Sequence, residues 1–547
     1  MKWPMNERRN VRTRRGRLLL CMIALISLVA TACGSQLGAQ ATSSAGLDTS
    51  KPFGGDPATE GTPQTGGTLI VGMYTEARSF DPTVGSNLMA SAVYDSLLKM
   101  DSKGVPQPML AQSMTTPDEG TTWVLKLRPG VTFQDGTPLN ADAVIFNVSR
   151  QRDKPTALGH LYTEPIDTMT ATDDLTVTFV LKRPTGSFPV SFALPFSSGN
   201  LGTIASPAAV QQWGDEYGRH PVGAGPFKFV EWIPNNKIVV TRFDGYWDQG
   251  KPYLDGIEFR PLPDTDTRYV SVVNGDIDLD IGGFFSEVSR SSANPDLVTY
   301  YGPGGDGQFL YFNLTKAPLD DKRVREALVR AIDPVALNVT QYNNAGELAV
   351  TAFAEGDQYY SQAAADAYPK YDQEAAKQLI ADYKASGGNP DFTYNTGNSP
   401  DDHQLGQFLQ AQWAAIGVNV TLQFDDISTF IGPVVQGTQF GTATWISGPY
   451  ENPYPFMLNQ FHTGGINNYG KYSNPDVDAA LDEARSSTDP AVQIASYQRA
   501  QELINTDLPV LWLARAAKAA ITRPNVKGVS RYLSSELFWA GTWKSTS

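Results

Sequence analysis

Four histidines, at positions 160, 220, 403 and 462, are all the imidazole in this chain, and no two lie within ten residues of each other. That spacing offers no pair of metal ligands on one helix turn and no His-Glu-x-x-His motif. The string Pro221-Val222-Gly223-Ala224-Gly225-Pro226-Phe227 spaces its glycines like a phosphate cradle. No Lys-Ser or Lys-Thr and no helix start follows, so it reads as a tight turn between strands. A Gly-x-Ser-x-Gly nucleophile elbow is absent. The acid pairs Asp425-Asp426 and Asp320-Asp321 read as a loop and a helix cap rather than as a general acid with its base.

What remains is binding chemistry. Trp445 opens the Gly- and Pro-rich loop Ile446-Ser447-Gly448-Pro449-Tyr450-Glu451-Asn452-Pro453. An aromatic there is placed to wall a pocket, and backbone groups at Ile446 and Ser447 can pair with an extended ligand as an added strand would. Aromatic residues make up 11% of a chain whose mean hydropathy is −0.28, so some of them are available to line a pocket rather than a core.

Regular elements must position that loop. Between Thr121 and Arg150, Trp123, Leu125 and Leu127 alternate with polar or smaller residues as in a half-buried strand. Arg128-Pro129-Gly130 turns the chain and Val131 and Phe133 resume the alternation. Asp135-Gly136 then turns it again, and Asn140 caps a helix carrying Val144, Phe146 and Val148. Thr68 to Thr75 reads as a buried strand, as does Asp173 to Leu181. Val324, Ala327, Leu328 and Ala331 form one helical stripe, and Leu405, Phe408, Leu409, Trp413 and Ile416 another. Val418, Val420 and Leu422 alternate directly after Gly417. Strand, helix, strand with such short loops predicts a parallel α/β arrangement.

The N-terminus reads as an export and anchoring segment. Met1 to Arg17 holds seven basic residues and one acid, and Leu18 to Ala32 is apolar but shorter than the roughly twenty residues a membrane-spanning helix needs. Removing those seven and one from the 43 basic and 57 acidic residues leaves 36 against 56, a net charge of −20, which suits neither nucleic acid nor anionic lipid. Residues 33–66 are rich in Ser, Thr, Gly, Pro, Gln and Ala and read as a flexible tether.

Several of these stretches resemble one family, the family 5 extracellular solute-binding proteins, which are the peptide, dipeptide and nickel receptors of ABC importers. The resemblance is carried by Leu127-Arg128-Pro129-Gly130-Val131-Thr132-Phe133-Gln134-Asp135-Gly136, by Pro221 to Phe227, by Phe243 to Asp255, by Gly275 to Asp278 and by Phe312 to Pro334. Val29-Ala30-Thr31-Ala32-Cys33 resembles a lipobox, with Ala30 where Leu is commoner.

The resemblance implies a type II, cluster C-like clamshell of two α/β lobes. Its expected parts are a signal peptide over 1–32, a lipidated Cys33 with its tether over 33–66, lobe I over 67–305, lobe II over 306–514 and a return to lobe I over 515–547. An extra subdomain is expected within lobe I at about 95–220. The implied ligand is a peptide or similar polar solute, delivered to a permease with its ATPase subunits by a monomeric, lipid-anchored protein on the outer face of the cell membrane. Neither a cofactor, a metal, catalysis nor nucleic acid is expected.

Peptide-binding members carry an Asp three residues after the loop Trp, where this chain has Gly448, so Glu451 is the candidate substitute for the ligand's ammonium. Trp445, Ile446, Ser447, Tyr450, Glu76, Arg78, Gln308 and Asn398 complete the candidate ligand-binding set. An oligosaccharide or other non-peptide solute, a secreted hydrolase and a non-transport envelope lipoprotein stay open as alternatives.

Overall fold

The structure is a computed structural model that describes residues 54–546 except 85–86, 283–284, 303–306, 427–428, 447–451, 517 and 532–535. The expected signal segment, Cys33 and most of the expected tether fall outside the described residues.

Two mixed sheets organise the chain. The first has seven strands in the spatial order Val298–Tyr301, Ala519–Thr522, Leu279–Gly282, Thr68–Met73, Gly256–Pro261, Lys237–Arg242, Phe227–Ile233. Its centre is parallel, with Thr68–Met73 running alongside both Gly256–Pro261 and Leu279–Gly282. Leu69, Val71 and Met73, which share one face of the strand, are fully buried there, and Ile70 on the other face is half-buried. The second sheet has five strands in the order Val420–Phe424, Phe392–Thr396, Thr442–Ile446, Gly307–Phe312, Val510–Arg515. Its first three are parallel, and Gly307–Phe312 is antiparallel to both neighbours. Helix Pro400–Ala414 covers one face, with Leu405, Leu409 and Trp413 wholly inside and the Trp413 indole donating to Leu328 O at 3.0 Å. Each sheet has a core of its own.

A third sheet, antiparallel throughout, is built from Ala111–Thr115, Thr122–Leu127, Thr176–Leu181 and Ile166–Asp173. Trp123, Leu125 and Leu127 point inward and Lys126 outward, as the alternation predicts. The second half of the expected hairpin is corrected. Val131 and Phe133 are buried, but only a single bridge, Thr132 to Pro138, forms there. Phe133 already closes a turn onto Gly136, which leaves too few residues for a ladder, and Thr122–Leu127 takes its partners from elsewhere. Asn140 caps helix Ala141–Asp153 by accepting from Ala143 N at 3.0 Å.

The two sequence blocks around Gln134 and Gly223 prove to be one joint. Gln134 Nε2 donates to the carbonyls of Val93, Gly225 and Phe227 at 2.9, 3.1 and 2.8 Å, while its Oε1 accepts from Gly223 N at 3.1 Å. A Cβ on Gly223 would lie 2.3 Å from Val93 O, so the glycine is required by close backbone approach, not by a phosphate.

Candidate functional site

Topology decides where a ligand can sit. The chain passes between the first and second sheets after Tyr301 and returns after Arg515. Tyr301 pairs with Ala519 in the first sheet and Gly307 with Arg515 in the second, so the two crossings leave and reach paired strand ends. Val298–Tyr301 points the same way as Leu279–Gly282, because both are antiparallel to Ala519–Thr522, and it therefore leaves the first sheet at the carboxyl end of its parallel strands. Gly307–Phe312, antiparallel to Thr442–Ile446, enters the second sheet at the carboxyl end of its own. Both carboxyl ends thus flank the twin crossing. That end is where open α/β sheets bind ligands, in the crevice outside the carboxyl ends of the strands, where the last peptide groups point outward unpaired.

Three of the expected residues meet there. Gln308 pairs with Ile446 and Phe309 with Trp445. Trp445 is half-buried, its ring edge-on to Tyr469 at 5.3 Å, and Ile446 is 66% exposed. Gln308 Oε1 accepts from the Tyr342 hydroxyl at 3.2 Å, and the Tyr342 ring stacks edge-on against Phe285 at 5.2 Å. Phe285 opens the helix that follows Leu279–Gly282, so this ring pair bridges the two sheets' ends.

The others sit apart from that cluster. Glu76 lies just past the carboxyl end of Thr68–Met73, but its Oε1 accepts from Trp232 Nε1 at 2.7 Å and from Asn235 N at 3.1 Å. Its carboxylate anchors the Phe227–Arg242 hairpin. Arg78 is exposed, and exposed Asn398 meets His403 Nε2 through its Oδ1 at 2.7 Å. Ser447, Tyr450 and Glu451 lie outside the described residues.

One group escaped the sequence reading. Asp426 sits in a loop, as read, and accepts from Thr429 N at 3.2 Å, but Asp425 turns inward. Its Oδ2 accepts from Asn395 Nδ2 and its Oδ1 from Gln423 Nε2, both at 3.2 Å, and its own N–H donates to Thr396 O at 3.0 Å. The period-two series Thr421, Gln423, Asp425 was the available signal.

Away from this cluster, residues next to the third sheet touch the helix Pro475–Ser486 and the stretch after the Trp445 loop. Gly186 N and Ser187 N donate to Ser486 O and Arg485 O, each at 3.2 Å, and Asn452 Nδ2 donates to Gly104 O at 3.0 Å. Gly186 leaves no room for a side chain, since a Cβ there would stand 1.8 Å from Ser487 O.

Comparison with known proteins agrees with this architecture. The model of bacterial extracellular solute-binding proteins, family 5, middle, matches residues 105–468. The glutathione-binding protein GsiB of Pectobacterium atrosepticum is 30% identical over 447 residues, spanning 78% of this chain and 84% of its own. The periplasmic binding protein AgaA of A. tumefaciens R10, solved with agropinic acid, superposes with a TM-score of 0.75 at 23% identity, over 88% of this chain and 99% of its own. The ABC transporter-associated periplasmic binding protein DppA of Helicobacter pylori, solved with the peptide STSA, gives 0.74 at 24% identity over 88% and 98%. The fold is the two-lobed one of these binding proteins.

Proposed function

This chain belongs to the bacterial extracellular solute-binding proteins of family 5, and on that footing we propose that it is the receptor of an ABC importer for a short peptide or similar polar solute. The observation that carries the reading is the convergence of Gln308, Trp445 and Ile446 on the twin crossing between two sheets whose carboxyl ends flank it. An aromatic wall, an amide and an unpaired strand end suit an extended, hydrogen-bonding ligand. Closure over it is a hinge motion of one large sheet against the other, and ligand drives it only by favouring the closed arrangement. Moving such an equilibrium from about 1% to 99% closed takes roughly 5.5 kcal/mol of differential affinity.

The rest of the proposal concerns organisation. Residues 67–305 with 515–547 form lobe I and 306–514 form lobe II, which the membership of the two large sheets supports. Residues 1–32 are a signal peptide and Cys33 the lipidated residue that holds a monomer to the outer face of the membrane, which the basic start and apolar run support.

Native mass spectrometry of the full chain released from detergent tests the function. Added masses spaced by amino-acid residues are the expected result; a hexose-spaced series or another discrete non-peptide solute would overturn the peptide assignment.

A further inference from the structure

On the face of the second sheet that carries Trp445, two buried acceptors sit together. Asn395 pairs with Ala443, two residues before Trp445, and with Gln423 on its other side. Alternation puts Asp425 on that same face, one step beyond Gln423. Asp425 is 8% exposed and Asn395 5%. The Asp425 carboxylate receives only neutral donors, the amides of Asn395 and Gln423 and no cation among the described residues. The Asn395 amide cannot be turned, because that would set its oxygen against the carboxylate. With Nδ2 held by Asp425, the Asn395 Oδ1 is buried and has no hydrogen-bond partner among the described residues.

Both features cost free energy as they stand. An ionised carboxylate out of water wants a cation, and a buried carbonyl wants a donor. Both wants are met by one group, since an ammonium has three donors and no acceptor and a guanidinium five. The pair sits at the carboxyl ends of Phe392–Thr396 and Val420–Phe424, on the side of the sheet end where Trp445 stands. We propose that Asp425 and the Asn395 carbonyl oxygen receive a cationic nitrogen of the ligand, so that the solute is a cation or a zwitterion at that end. This assignment rests on the reading that ligand binds at the two sheets' carboxyl ends. For a peptide, the nitrogen is its free α-ammonium.

The test is a set of titrations on the full chain in detergent, using a tripeptide pool with free amino termini, the same pool N-acetylated, spermidine and maltotriose. Wild type is expected to bind the free pool at least about tenfold more tightly than the acetylated one. The isosteric variant Asp425→Asn is expected to lose about tenfold for the free pool and nothing for the acetylated one, and Asn395→Ala to lose about threefold. That selective loss separates ligand contact from a fold effect, which would weaken both pools alike. Equal binding of the two pools by wild type, or unchanged binding by Asp425→Asn, would overturn the assignment while leaving a peptide receptor. Spermidine bound without peptides, and weakened by Asp425→Asn, would keep the assignment and remove the peptide reading. Binding of maltotriose alone would overturn both.

Discussion

Replacing Asp280 by Asn keeps the side chain's shape and removes one proton-binding group from the interior beside the first sheet. There Arg268 Nε meets Asp280 Oδ1 at 2.9 Å, Nη2 meets the two Glu287 oxygens at 2.8 and 3.0 Å, and Nη1 reaches the Leu262 and Pro263 carbonyls at 2.8 and 3.2 Å. All three side chains are fully buried. Two carboxylates on one guanidinium leave a net negative charge away from water. Burial first, and repulsion from Glu287 second, push the Asp280 carboxyl up to about 8.

An unfolded Asp titrates near 3.9 (~3.9), so the folded protein binds the extra proton over the interval between the two values. The stability tied to that proton is complete below about pH 4 and is lost as pH rises through about 8, at up to about 1.4 kcal/mol per pH unit. Between pH 5 and pH 8 the loss from this group reaches roughly 4 kcal/mol. Asn cannot titrate and carries no such slope. Buried Asp95 and Glu536, pushed by burial up to about 6 and about 7, add slopes of the same sign, but equally in both proteins. Urea unfolding of wild type and Asp280→Asn at pH 5, 6, 7 and 8 is the assay. The variant is expected within about 1 kcal/mol of wild type at pH 5 and to gain on it steadily toward pH 8. A gap that stays constant across the range would refute the claim that this buried acid holds a proton at neutral pH.

Three further outcomes follow from the geometry. Gly186→Val forces a side chain against Ser487 O, a misfit of about 1–3 kcal/mol charged to the arrangement in which the lobes touch, so calorimetry should find ligand bound about tenfold more weakly at an almost unchanged melting temperature. Trp445→Ala removes the ring that packs on Tyr469; thermal unfolding should register about 2 kcal/mol of lost stability, and titration a larger loss of ligand affinity. Glu76→Gln weakens the anchor on Trp232 and Asn235 by about 1 kcal/mol and, because that carboxylate is already engaged, should leave ligand affinity within about twofold of wild type.

How far these contacts could be read in advance depended on whether a residue's partners were close in the chain. Period and caps are local, so Thr122–Leu127, the buried stripe Val324-Ala327-Leu328-Ala331 and the caps at Asn140 and Asp321 were legible. Trp445, read as the opening of a loop, instead lies inside the strand Thr442–Ile446. Strand pairing is not local. Val131 and Phe133 have the right alternation, yet the ladder went to strands beginning at Ala111 and Thr176. Glu76 looks like a loop charge until Trp232 and Asn235 arrive from more than 150 residues away. Asp425 and Asn395 are 30 residues apart and meet only because two parallel strands align them, so their joint environment has no signature in either stretch alone. The Arg268 triad is hidden for the same reason, each member reading singly as an ordinary surface charge.

Hydrogen exchange of the full chain, with and without a saturating peptide from the free-amino pool, tests most directly whether ligand binds between the two sheets' carboxyl ends. The account predicts slowed exchange in segments of both lobes at once: around 74–76 and 285–288 in one, and around 307–309, 395–397 and 443–446 in the other. Protection confined to one lobe, or found away from those strand ends, would contradict it.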